Sequence, residues 1–96
     1  LEETDCIIYC FKQFEDVISA SKVLASMTDE GQLYYYEQHY YLKFDDDLFS
    51  ENEIERLVSV LSEYGEPSAI TSYMLSEYGK VIMDKKAVGQ VTQFFR

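Results

Sequence analysis

Basic residues are scarce in this chain. Eight Lys and Arg stand against eighteen Asp and Glu, for a net charge of −10. A domain this acidic is repelled by phosphate backbones and anionic lipid, which argues against nucleic acid and membrane as partners. No apolar run approaches the ~20 residues a membrane span needs. No glycine-rich phosphate loop, Walker pattern or nucleophile elbow occurs, so nothing points to an enzyme. The single histidine, His39, has no nucleophile or metal-ligand partner at a recognisable spacing and reads as a hairpin-turn residue. The only cysteines are Cys6 and Cys10. On a strand they share a side but stand about 13 Å apart, too far to form a disulfide or a metal pair with each other. They read as buried structural thiols in a reducing, cytosolic compartment. Asp45-Asp46-Asp47 invites a calcium reading. Such a loop needs Gly at its sixth position and Glu at its twelfth, where this chain has Ser50 and Arg56, so an acidic turn fits better. No metal or cofactor is implied.

What is present describes a folded domain. Apolar residues make up 47% of 96 residues, enough for one modest core. The chain lacks a signal-peptide pattern and does not begin with Met, so residues 1–96 read as a single domain cut from a longer protein. The charge is uneven: residues 1–77 hold seventeen acids and four bases, and residues 78–96 hold one acid and four bases. Such an acidic body suits a basic protein surface, approached by electrostatic steering.

Hydrophobic periods alternate along the chain. Cys6–Phe11 is a continuous apolar run, the mark of a central strand. Phe14, Val17, Ile18, Ser21, Leu24 and Ala25 form a helical stripe that extends to Met27. Leu33–Glu37 and Tyr40–Asp45 read as two aromatic strands in a hairpin. Ser50-Glu-Asn-Glu53 is a capping box, with Phe49 and Ile54 as a hydrophobic staple, and opens a helix that ends at Gly65. Ser68 is a plausible cap for a short helix ending at Gly79, with Ile70, Tyr73, Met74 and Glu77 at helical spacing. Lys80–Met83 reads as a strand, and Asp84 as the cap of a last helix bearing Val88, Val91, Phe94 and Phe95. The order is β-α-β-β-α-α-β-α. It predicts an α+β fold, an antiparallel sheet with helices on one face, and a ferredoxin-like core.

One word repeats. Leu-Ser-Glu-Tyr-Gly occurs at Leu61–Gly65 and again at Leu75–Gly79. Each copy reads as a helix exit, with its glycine in the left-handed C′ position. Glu63 and Glu77 then sit near helix C-termini, where the macrodipole disfavours negative charge. That placement hints at a role outside the fold, against the plainer reading of polar filler before a cap. The other unusual feature is the tyrosine cluster Tyr34, Tyr35, Tyr36, Tyr40 and Tyr41. Exposed rings on such a sheet suit base stacking, but Lys43 is the only base on the hairpin, so a protein interface or a homodimer through the sheet fits better.

Taken in order, Phe14-Glu-Asp-Val-Ile18, Gly31-Gln-Leu-Tyr-Tyr-Tyr36, Tyr40-Tyr-Leu42, Leu57–Gly65, Ser76-Glu-Tyr-Gly-Lys-Val-Ile82 and Phe94-Phe95 resemble the C-terminal domain of the MecA adaptor family, which includes YpbH. The resemblance covers nearly the whole chain. It implies a bacterial, cytoplasmic, non-enzymatic adaptor domain in a family tied to competence regulation. Such a domain binds the ClpC AAA+ unfoldase, promotes its assembly, and helps feed targets to ClpCP proteolysis, while substrates are held by a separate N-terminal domain. Glu63 and Glu77 are then the expected contacts to a basic ClpC surface, with Tyr64 and Tyr78 beside them. Core packing is the competing role for both tyrosines. Glu66, with Glu51 and Glu55, is a second-line candidate, and Glu53 is better read as a cap. Two other classes stay open: a small-molecule regulatory domain of the ACT type, and a plain dimerisation module.

Overall fold

The computed structural model describes residues 6–28 and 30–83. Their order is β1 (Cys6–Phe11), α1 (Phe14–Ala25), β2 (Gln32–Tyr36), β3 (His39–Asp45), a 3-10 turn (Asp46–Leu48), α2 (Glu51–Leu61), β4 (Glu66–Pro67), α3 (Ser72–Tyr78) and β5 (Lys80–Met83). The expected α+β class and antiparallel sheet are both found. The sheet order is β4-β1-β3-β2-β5, with every neighbouring pair antiparallel. Both β1 and β2 are antiparallel to β3, so they run parallel to each other on either side of it.

The ferredoxin-like core is β1-α1-β2-β3-α2-β4. Its closing strand is the two-residue β4, a stretch that the periodicity leaves as a loop. A strand this short has no period to detect, and Pro67 argues against one. At the sheet edge Pro67 needs no donor. Pairing is fixed instead by Cys10 opposite Glu66 and by the Ser68 amide donating to the Ile8 carbonyl at 2.9 Å. The run Lys80–Met83 is indeed a strand, β5, added beyond β2 on the opposite edge. The helix expected after Asp84 lies outside the described residues.

Alternation sorts the side chains into two layers. Tyr9, Phe11, Leu33, Leu42 and Phe44 meet Val17, Ala20 and Leu24 of α1 and Leu57 and Leu61 of α2 in the main core. Ile8, Tyr34 and Tyr41 point the other way and form a second cluster with Leu75 of α3. The one-face layering therefore holds for α1 and α2, while α3 covers the reverse face. The reason is Leu75, whose side chain is fully buried against the rings of the reverse face.

Local chemistry sets the element ends. At α2 the capping box is complete: the Glu53 amide donates to Ser50 Oγ at 3.3 Å, and the Ser50 amide donates to Glu53 Oε1 at 2.9 Å. The start of α3 differs from expectation. Thr71, not Ser68, is the cap, and its hydroxyl accepts from the Met74 amide at 3.1 Å. Ser68 Oγ instead accepts from the Ile70 amide in the preceding loop. The hairpin turn is Glu37-Gln38, with φ of 51° and 69°. Two successive positive φ values mark a type I′ turn, which usually takes Asn and Gly. His39 opens β3 rather than lying in the turn, opposite Tyr36.

Candidate functional site

Each pentapeptide converts a helix into an edge strand. The first copy follows α2 into β4, and the second follows α3 into β5. Because β4 is antiparallel to β1 and β5 is antiparallel to β2, both edge strands start at the same end of the sheet. The two copies thus share one end of the domain. They sit at opposite edges, roughly 19 Å apart at ~4.8 Å per strand spacing, with their helices on opposite faces. A half-turn about β3 would exchange β1 with β2, β4 with β5, and one face with the other. Glu37 and Gln38 lie between the copies at that same end, in the turn from β2 to β3.

The glycines are there for space. No described glycine has a positive φ, and Gly79 is extended at φ −82°, ψ 162°. The expected left-handed caps are therefore absent. A Cβ on Gly65 would stand 2.5 Å from the Cys10 carbonyl oxygen and 2.6 Å from the Phe11 ring; on Gly79 it would stand 2.7 Å from the Leu75 carbonyl oxygen. Each chain reversal runs so close to the fold that no side chain fits.

The first copy is held at almost every residue. Leu61 is fully buried, and Tyr64 packs on the main core. Ser62 Oγ lies 3.0 Å from the buried Tyr9 hydroxyl, which also donates to the Val58 carbonyl at 3.4 Å. Ser62 and Glu63 are both exposed, but the Glu63 side chain has no partner among the described residues. Beside it, Tyr64, Glu66, Cys10, Lys12, Asp16 and His39 line a shallow cleft of about 360 Å³.

The second copy is held to the rest of the fold at Leu75 and Gly79, while the Ser76 hydroxyl donates only within its own helix, to the Tyr73 carbonyl at 3.1 Å. Ser76, Glu77 and Tyr78 are all exposed. Tyr78 is 65% and Tyr73 is 61% exposed, the two most solvent-facing large apolar-type side chains among the described residues. The helical spacing groups Tyr73 with Ile70, Met74 and Glu77, yet Ile70 packs on the second cluster while Tyr73 stands in solvent. The signal was present, because Glu77 lies one turn from Tyr73 and an ionised carboxylate does not share a buried face. Among the described residues, neither the Glu63 nor the Glu77 carboxylate has a hydrogen-bonding or ion-pairing partner. Glu51 and Glu55 are exposed on the outside of α2, and Glu53 is taken up by the capping box.

The tyrosine hairpin is not an open stacking platform. Tyr34 and Tyr41 are buried in the second cluster. The Tyr41 phenol is pushed up to about 12, first by burial and then by the neighbouring Cys10 and Glu37. Burial also raises the Cys10 thiol above its ordinary value. Neither cysteine forms a disulfide among the described residues, and both are half-buried in β1 rather than fully buried. On the main-core side, Tyr40 stacks with Phe14 at 5.4 Å and with Tyr35 at 5.1 Å between ring centroids. No helix among the described residues is long and apolar enough to cross a membrane.

The described residues form a small α+β domain that gathers Glu37, Glu63, Glu66 and Glu77 at one end of its sheet. The family model described as "Negative regulator of genetic competence (MecA)" matches residues 2–91, and the chain belongs to that family. It is 41% identical over 96 residues to Adapter protein MecA of Oceanobacillus iheyensis, covering 99% of this chain and 50% of the relative. It is likewise 41% identical over 96 residues to Adapter protein MecA 2 of Bacillus subtilis strain 168, covering 99% of this chain and 48% of that one. The chain thus spans about half the length of the curated relatives it matches. Its fold matches the crystal structure of the MecA C-terminal domain with TM-score 0.82 and 34% identity, over 94% of this chain and 97% of that one. The C-terminal domain of YpbH matches with TM-score 0.79 and 40% identity, over 92% and 96%. A chain from a cryo-EM study of the MecA–ClpC complex matches with TM-score 0.76 and 35% identity, over 95% and 96%.

Proposed function

We propose that this chain is the chaperone-binding domain of a bacterial, cytoplasmic MecA-type adaptor. In this reading it docks on ClpC, promotes assembly of the active unfoldase, and helps deliver targets to ClpCP proteolysis. It performs no chemistry of its own and binds neither nucleic acid nor membrane. The observation that carries the reading is the pair of unpartnered carboxylates, Glu63 and Glu77, at one end of an acidic domain whose fold is shared with a chain of the MecA–ClpC complex. Those carboxylates meet Arg or Lys on a basic ClpC surface. Glu66 contributes from the cleft at the start of β4, and Tyr78 supplies an exposed ring. Tyr64 serves from beneath, because it packs on the core and sets the position of Glu63.

The test is a titration against purified ClpC at two salt concentrations, with the Glu63→Ala/Glu77→Ala double variant alongside. Binding should weaken with salt, and truncating a desolvated interfacial carboxylate should cost about 2–5 kcal/mol. Binding that ignores both changes would remove the acidic-pair mechanism.

A homodimer is compatible with this function. Burial of Tyr34 and Tyr41 leaves Phe14, Tyr35, Val81 and Ile82 as its exposed apolar contacts. Sedimentation over a concentration series distinguishes it from a monomer.

A further inference from the structure

We propose that the outer face of α3 is an arginine-binding clamp, formed by Tyr73 and Glu77, and that it carries most of the affinity while Glu63 is a rim charge. The inference rests on the chaperone-binding reading and ranks the two copies within it.

Tyr73 and Glu77 are one helical turn apart, so their Cβ atoms lie about 5–6 Å from each other. Helical side chains lean toward the N-terminus, which tilts the Glu77 carboxylate back toward the Tyr73 ring. Leu75 is fully buried against the sheet. At 100° per residue, Tyr73 and Glu77 both point nearly opposite to it. The result is an exposed aromatic face next to an unpartnered carboxylate on an acidic body. A guanidinium satisfies both groups at once: its plane stacks on the ring while its fork donates two hydrogen bonds to the carboxylate. An ammonium can meet the charge but lacks the plane, so the clamp prefers Arg to Lys.

The first copy has no such arrangement. One turn before Glu63 stand Ser59 and Val60, and its own tyrosine is committed to the core. Glu63 therefore offers charge alone, and a solvent-exposed pair of that kind contributes little. The repeated word is not a repeated site.

The 96-residue chain should be titrated against ClpC as wild type and as Tyr73→Ala, Tyr73→Phe, Glu77→Gln and Glu63→Gln. Tyr73→Ala and Glu77→Gln should each weaken binding about tenfold or more, as for anchor residues. Tyr73→Phe keeps the ring face and should stay within about twofold, and Glu63→Gln within about threefold. Wild-type affinity in Tyr73→Ala, or equal losses in Glu63→Gln and Glu77→Gln, would overturn the clamp. If the wild-type chain does not bind ClpC, the chaperone reading fails, and the clamp is judged on its own. An NMR titration with N-acetyl-arginine amide should then move the Tyr73 ring resonances in wild type but not in Glu77→Gln, and N-acetyl-lysine amide should move them less. No Tyr73 response to the arginine compound would reject the clamp.

Discussion

The two copies of Leu-Ser-Glu-Tyr-Gly are identical in sequence and unlike in structure. Both place a leucine in a core, a glycine under a carbonyl and a carboxylate in solvent. They differ at the tyrosine, half-buried on the main core as Tyr64 and 65% exposed as Tyr78. The difference comes from what lies beneath. The first copy ends an eleven-residue helix on the larger cluster, whereas the second ends a seven-residue helix held by a small cluster around Leu75. The same word is a structural staple in one setting and a solvent-facing surface in the other.

The glycines give the sharpest way to break the comparison. Gly65→Ala forces a Cβ between a backbone oxygen and a packed ring and should destabilise the fold by about 3 kcal/mol or more. Gly79→Ala meets its backbone oxygen at 2.7 Å and the edge of the Tyr34 ring at 3.2 Å, a looser fit. It should cost about 1–2 kcal/mol. Denaturant unfolding of the two variants checks the order, and equal losses would mean the copies are equally embedded.

The tyrosines come next. Tyr64→Ala should lower stability by about 2 kcal/mol through lost packing, while Tyr78→Ala should stay within about 0.5 kcal/mol and act on binding alone. A destabilised Tyr78→Ala domain would show that the second copy is held more firmly than its exposure indicates.

The smallest effect tests the α3 layer by pH. Burial pushes the Tyr41 phenol up to about 12 in the folded domain, above the ordinary value of 10. The unfolded chain therefore loses that proton first. This contribution to stability is complete below pH 10 and drains away as pH rises toward about 12. Thermal unfolding across that range should show a loss of roughly 1–2 kcal/mol, reduced in Tyr41→Phe. An unchanged slope in Tyr41→Phe would assign the alkaline loss to Tyr34 and Tyr36, whose phenols are also raised, chiefly by desolvation.

Much of this molecule is legible from local pattern. The capping box at Ser50–Glu53 is visible because its two hydrogen bonds join residues three apart in sequence. The stripe of α1 and the apolar runs of β1 and β5 are visible because one face of each element is repeatedly apolar. The strand Glu66–Pro67 is not, because only its partner β1, some fifty-six residues earlier, makes it a strand. The solvent-facing side of α3 is marked only by Glu77, one turn from Tyr73, because a seven-residue helix shows few turns.

By itself the sequence determined the types of the longer elements, the acidic character and the two helix exits, since propensity, charge and glycine act over a few residues. Only the tertiary structure decided that α3 lies on the reverse face, that both copies meet at one end, and that one tyrosine is sunk while the other stands in water. Those facts depend on which residues from distant strands lie beneath each helix, and two identical words carry no record of that.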